Sequence, residues 1–222
     1  VRPRFYESAV HTLVAPLQPL FDVTGVNFLQ GHVEQILPDS KEVSWKDENG
    51  EVRLRRYDRL VLASGSHVNR DIVAGAAEHA FDLDQLESAT VLEQHLKDLA
   101  GQPESEARNT VVVCGGGCSG LFAACSAGGG FTGIEMALEL PGRLREILGA
   151  DAKTRVVVVE RGAQPGGRWS QELRDVIIEA SAELGVEWLV NAEVESVDAS
   201  GVTLKDGQVI ASQTVIWTVG VQ

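Results

Sequence analysis

Two stretches of this chain carry one pattern, and a repeat of that kind limits the architecture more than any single residue does. One copy runs from Gly25 to Gly65 and the other from Gly185 to Gly220. Gly25-Val26 aligns with Gly185-Val186, Phe28-Leu29 with Trp188-Leu189, and Lys46-Asp47 with Lys205-Asp206. Val33, Glu34 and Ile36 meet Val194, Glu195 and Val197 after a one-residue gap, and Leu60-Val61-Leu62 meets Val215-Ile216-Trp217. Each copy has a short apolar strand, an alternating stretch, a hairpin turn at Asn49-Gly50 or Asp206-Gly207, and an unbroken apolar run ending at a glycine. Asn-Gly and Asp-Gly tolerate the positive φ of tight hairpins. Unbroken apolar strands suit a parallel sheet covered on both faces. Each copy is therefore predicted to be a three-stranded meander that returns into a parallel sheet.

More lies ahead of the second copy. Leu173, Val176, Ile177, Ala180 and Leu184 follow the helical period, with Ser170 as N-cap and Gly185 just past the end. Thr110 to Cys114 (TVVVC) reads as a buried strand, followed by glycines. A helix then begins near Thr132, carries Ile134, Ala137 and Leu138, and is expected to be interrupted around Pro141-Gly142. Arg155 to Glu160 (RVVVVE) is a second buried strand. Strand, glycine turn, helix, strand ending in an acid is the opening of a Rossmann unit. Ahead of the first copy there is only a helix candidate at Phe5 to Leu20, which Pro16 and Pro19 must bend or end.

The expected fold class is α/β: a Rossmann-like, three-layer dinucleotide-binding domain with a β-meander at 109–222, plus the truncated end of a second, similar domain at 1–75. Residues 76–108 read as a linker with a helix whose Leu92, Leu96 and Leu99 face a core. The start at Val1 rather than Met suggests a mature or cut beginning.

Charge and composition narrow the partners. A net charge of −13 disfavours nucleic acid and any polybasic membrane contact. No apolar run approaches the ~20 residues of a spanning helix, and no targeting signal opens the chain, so a cytoplasmic or membrane-peripheral location is expected. Cys114, Cys118 and Cys125 form neither a CxxC pair nor a good zinc site and read as reduced thiols. His11, His32, His67, His79 and His95 lie in no metal-ligand spacing, so no metal is expected. Trp45, Trp188 and Trp217 fit strand packing, and Trp169, in a glycine-rich loop, packs or touches a nucleotide.

The glycines between the two strands form GxGxxG twice, at Gly115, Gly117 and Gly120 and again at Gly128, Gly130 and Gly133. A diphosphate needs close approach to backbone N–H groups, which a Cβ obstructs, and a helix N-terminus adds free donors and a favourable dipole. The second set, with Phe131 and Thr132, precedes the helix and is expected to face the phosphates, while Gly115 and Gly117 follow the strand. Cys118 to Ala127 between them reads as an insertion. Glu160 at the next strand end would accept both ribose hydroxyls, favouring NADH; Arg161 beside it would instead suit the 2′-phosphate of NADPH.

These residues resemble the FAD-dependent pyridine nucleotide oxidoreductases with two dinucleotide-binding domains, in their type II NADH dehydrogenase-like branch. The segments that carry the resemblance are GGGFTGIEMALEL at 128–140, RVVVVE at 155–160, YDRLVLASGS at 57–66 and TVIWTVGV at 214–221. The resemblance implies that NAD(P)H docks on one domain and passes a hydride to FAD on the other. The flavin then reduces a small-molecule acceptor such as a quinone. It also implies that Glu135 helps place the nicotinamide, that Ala63, Ser64 and Gly65 approach FAD, and that Val219 and Gly220 approach the NAD side. A homodimer is compatible with it. The family's FAD fingerprint and its C-terminal Gly-Asp flavin segment are not found, so the expectation is an incomplete version that holds FAD weakly or not at all. The alternative is a nucleotide-binding module or an inactive remnant without flavin turnover.

Overall fold

The structure, a computed structural model, describes residues 15–65, 68–115, 129–167 and 169–220. They fall into two compact units, one within 14–65 and one within 66–222.

The first unit is small. Helix α1 (Gln18–Thr24) starts with a proline in its first turn and ends at Gly25, whose φ of 70° gives the left-handed cap. The predicted helix at Phe5 to Leu20 lies largely outside the described residues; where the chain is described, the helix begins only at Gln18, because Pro16 and Pro19 suit a helix start rather than its interior. Strands β1 (Gly31–Leu37), β2 (Glu42–Asp47) and β3 (Val52–Arg56) then form an antiparallel meander. Asp47 Oδ1 accepts the N–H groups of Asn49 and Glu51, each at 3.0 Å, and so closes the β2–β3 hairpin. None of the described residues of this unit is buried. The apolar run expected to form a final strand at Leu60 to Gly65 is exposed and forms no strand. No parallel neighbour stands beside it among the described residues, and a lone strand gains no ladder.

The second unit has three layers. Its elements are α2 (Ala76–His79), β4 (Ala80–Phe81), α3 (Leu86–Asp98), a 3-10 turn, α4 (Glu106–Asn109), β5 (Thr110–Cys114), α5 (Gly129–Leu148), β6 (Arg155–Val159), α6 (Gln171–Leu184) and β7 (Val186–Leu189). After these come β8 (Val194–Asp198), β9 (Gly201–Leu204), β10 (Val209–Ala211) and β11 (Thr214–Trp217). Five strands make a parallel sheet in the order β4-β11-β5-β6-β7, and β8 to β10 make a separate antiparallel meander.

The period of two along each strand sorts the core into two clusters. Val111, Val113, Val156, Val158 and Ile216 pack against Leu92, Leu96, Ala137, Leu140 and Leu144 of the helices. Val112, Cys114, Val157, Val159, Val215 and Trp217 pack against Val197, Val202, Leu204 and Ile210 of the meander. Helices thus cover one face of the parallel sheet and the meander covers the other, which is why its strands are apolar throughout.

Helices α5 and α6 differ in how far their local signals hold. Helix α6 is capped as read: Ser170 Oγ accepts the Leu173 N–H at 3.4 Å and Gly185 turns left-handed at φ 76°. Helix α5 is not interrupted at Pro141; it continues to Leu148. Leu140 and Pro141 are buried, and Leu144 is buried one turn later, so packing on both sides of the proline holds one axis against the lost hydrogen bond.

Candidate functional site at the head of helix α5

The order of the parallel sheet decides where a ligand belongs. From β5 the chain moves through α5 to β6 on one side, while β11 returns on the other side of β5. The carboxyl ends of β5 and β11 therefore flank the point where strand order reverses, and ligands of open α/β sheets bind in the crevice there.

The last paired row is Trp217, Cys114 and Val159. The next row is Thr218, Gly115 and Glu160, held in line by three backbone bonds. Thr218 N–H donates to Cys114 O at 3.0 Å, Gly115 N–H to Val159 O at 2.9 Å, and Glu160 N–H to Leu189 O at 2.8 Å. Three residues of the site thus come from three adjacent strand ends.

Two glycines let α5 approach that row. A Cβ on Gly133 would stand 1.8 Å from Gly115 O and 2.8 Å from Thr218 Oγ1. Gly115 has φ +100°, and a Cβ there would meet Val219 Cγ2 at 2.6 Å. A side chain at Gly133 would push the helix off the sheet, and one at Gly115 would collide with Thr218 and Val219 just after β11. The two glycine sets of the sequence thus each contribute one residue to a single contact: Gly115 from the first, Gly133 from the second. Thr218 closes it, its hydroxyl lying 2.9 Å from both Cys114 O and Gly115 O. Since one proton serves two acceptors, the bond is shared. Sequence reasoning missed Thr218; the available signal was a small hydroxyl residue immediately after a buried strand end.

Gly130, Phe131 and Thr132 lie in the first turn of α5, where backbone N–H groups have no partner within the helix. Thr132 is buried, and Phe131 is partly exposed and packs against Trp169, the two rings tilted by 34° with centroids 4.2 Å apart. Trp169 is therefore in contact with the head of α5, and Gly166, at φ +74°, leaves room for its ring. Gly117, Gly120, Gly128 and the insertion at 118–127 lie outside the described residues.

Glu160 is almost fully buried at the end of β6. Its Oε1 accepts the Gly162 N–H at 2.6 Å, which ties the carboxylate to the loop that follows β6. Arg161 is exposed. Glu135 is exposed on the second turn of α5. Val219 and Gly220 follow Thr218; Gly220, at φ +77°, accepts the Asn69 N–H at 2.7 Å. Ala63, Ser64 and Gly65 belong to the first unit and are exposed there.

Cys114 is fully buried, and burial pushes its thiol up to about 12. It stays protonated at neutral pH and acts as a small core side chain. Among the described residues no cluster of His, Cys, Asp or Glu could hold a metal ion, and no helix is long and apolar enough to cross a membrane.

The chain has relatives among known proteins. Residues 7–222 match the profile of one family, described as pyridine nucleotide-disulphide oxidoreductase. The chain belongs to that family. Its members are NAD(P)H-dependent flavin oxidoreductases. An NADH dehydrogenase-like protein of Mycobacterium tuberculosis is 36% identical over 224 residues, covering 100% of this chain and 52% of that protein. A type II NADH:quinone oxidoreductase of Staphylococcus haemolyticus is 26% identical over 221 residues, covering 95% of this chain and 51% of its own length. The chain therefore spans about half the length of the curated relatives it matches. Among solved structures, NDH2 of Plasmodium falciparum in complex with NADH superimposes with a TM-score of 0.71 at 19% identity, covering 88% of this chain and 41% of that one. That likeness concerns the fold.

Proposed function

We propose that this chain binds NADH at the head of α5 and serves an oxidoreductase that passes a hydride from NADH to FAD and on to an acceptor such as a quinone. The observation that carries the reading is the Gly115–Gly133–Thr218 contact, which seats a helix N-terminus over the switch point with a buried carboxylate one strand away.

Each residue has a stated task. The first amides of α5 donate to the diphosphate, and the glycines keep Cβ atoms out of its way. Glu160 accepts hydrogen bonds from the ribose hydroxyls, and its bond from Gly162 fixes its rotamer beforehand. Glu135 places the nicotinamide. The Phe131–Trp169 pair lies beside the first turn of α5 and screens one flank of the site from water. When bound, the nicotinamide supplies the hydride and the flavin accepts it. In the first unit the described residues form no glycine turn at a helix head beside a parallel sheet, so the flavin phosphates find no cradle among them. That observation favours a second reading, a nucleotide-binding module without flavin turnover. A flavin absorbance band on the purified protein separates the two.

The test is a titration of the chain with NADH, read by nicotinamide fluorescence. Glu160→Gln is expected to weaken NADH about tenfold, as a charged acceptor becomes neutral, with little change in melting temperature. A chain that is folded yet leaves NADH fluorescence unchanged at millimolar protein would refute the reading.

A further inference from the structure

The turn between β7 and β8 holds the loop that leaves β6. Glu160 N–H donates to Leu189 O at 2.8 Å, Ala192 N–H donates to Glu160 O at 3.1 Å, and Asn191 N–H donates to Gly162 O at 2.8 Å. The parallel pairing of β6 with β7 is thus carried past the end of both strands, to the residues around the acid. Asn191 and Ala192 are consecutive, yet both amides face the same neighbouring loop. Successive amides of an extended strand point to opposite sides, so the chain must turn locally, and Asn191 makes that turn at φ 53°. It is one of two non-glycine residues with positive φ among the described residues. Asparagine tolerates that region, and β-branched residues resist it most. Asn191 is exposed, so its backbone conformation and not its packing is what the turn uses. The far side of the turn is anchored as well: Lys205 N–H donates to Glu193 O at 2.9 Å.

Gly162 links this turn to Glu160. Its carbonyl accepts the Asn191 N–H, while its own N–H donates to Glu160 Oε1 at 2.6 Å. The fit is close, for a Cβ on Gly162 would stand 3.0 Å from that same oxygen. Where Gly162 sits therefore decides where Oε1 sits. Glu160 is buried, so water does not readily replace a donor that moves away.

We propose that Asn191 is a specificity-determining positioning residue: its left-handed turn fixes Gly162, Gly162 fixes the Glu160 carboxylate, and the carboxylate so held favours ribose hydroxyls over a ribose 2′-phosphate. The inference rests on the NADH reading above and deepens it. A rigid anion discriminates better than a loose one. It meets two hydroxyls without reorganising, and it cannot swing aside to admit a phosphate.

The test measures NADH and NADPH binding to the full chain by nicotinamide fluorescence, with Asn191→Val, Asn191→Gly and each combined with Glu160→Gln. Asn191→Val is expected to reduce the preference for NADH over NADPH about fivefold, the scale of one hydrogen bond. Asn191→Gly is expected to keep the parent preference, since glycine adopts the same φ freely. With Glu160→Gln in place, Asn191→Val is expected to change the preference no further. Gly162→Ala is expected to reduce the preference too, by crowding Oε1 directly. Should Asn191→Val fail to fold, Asn191→Ala takes its place, with an expected drop of about twofold. A merely structural role would weaken both nucleotides alike, and that result overturns the proposal. So does a drop that persists without the Glu160 carboxylate, a preference unmoved by Gly162→Ala, or an Asn191→Gly variant that behaves like Asn191→Val. If the parent binds no NADH, the functional reading falls and this one with it. If the parent binds NADH and Asn191→Val leaves the preference unmoved, this inference falls alone.

Discussion

The two copies of the meander share their turns and differ in their burial. In both, the hairpin turns on a glycine of positive φ, 79° at Gly50 and 89° at Gly207. In both, an aspartate braces the turn: Asp47 accepts the Asn49 N–H at 3.0 Å, and Asp206 accepts the Gln208 N–H at 2.9 Å. Even the irregularity repeats, with register shifts at Val33/Gln35 and at the aligned Val194/Ser196. The paths then part. In the second copy Val215, Ile216 and Trp217 slot between β4 and β5 and are buried. In the first, the aligned Leu60, Val61 and Leu62 form no strand, and Val61 is 84% exposed against 0% for Ile216. Turns and bulges are local and follow the residues that make them. Burial of an apolar strand is not local: it needs a sheet to enter.

That contrast is open to measurement at matched positions. The largest expected effect is at the strand that enters the sheet. Ile216→Ala should destabilise the second unit by about 2–5 kcal/mol, whereas Val61→Ala should stay within about 0.5 kcal/mol, both read from denaturant midpoints. Equal losses would break the contrast. A smaller effect is expected at the turns, and it should be the same in both copies. Gly50→Ala and Gly207→Ala should each cost about 1 kcal/mol, because alanine resists positive φ in either place. Amide exchange at the two hairpins would show it, and a cost at one turn only would mean the turns are not local. The smallest effect concerns pH. His95 on α3 has its Nε2 2.9 Å from Thr214 Oγ1 of β11 and its ring tilted against Phe81, and burial lowers its pKa, opposed by Gln213 and Asp98. A depressed pKa means the unfolded chain binds the proton more readily. Stability from this site is therefore intact above about pH 6.5 and declines as pH falls through and below that value. Melting temperatures from about pH 7 to 5.5 should drop more steeply in the parent than in His95→Gln.

Much of the second unit was legible because its signals agree. TVVVC and RVVVV carry no polar residue to contradict burial on two faces, and Ser170 and Gly185 bracket α6 with cap chemistry. Glu160 was legible as a strand-end acid. The departures share a cause, which is that a distant contact outweighed a local rule. Pro141 forbids one hydrogen bond but sits between buried Leu140 and Leu144, so α5 runs through it. Leu60 to Leu62 have the residues of a core strand and no neighbour to pair with among the described residues. Thr218 is unremarkable in sequence and becomes the clasp of the site only because β5 and β11, a hundred residues apart, end side by side. The role of two glycine sets in one contact likewise depends on where the helix lands, not on their spacing.

The place of β11 in the sheet has a consequence for synthesis. It is the last strand described along the chain, yet it lies inside the sheet, between β4 and β5. A ribosome delivers β4, β5, β6 and β7 first, and until β11 emerges one flank of β5 is an unpaired apolar edge. Such an edge invites other nascent chains. A pause or a premature stop before Thr214 would leave the polypeptide with its hydrophobic seam unzipped and sticky, so the final few codons of this sheet govern whether the rest survives its own translation.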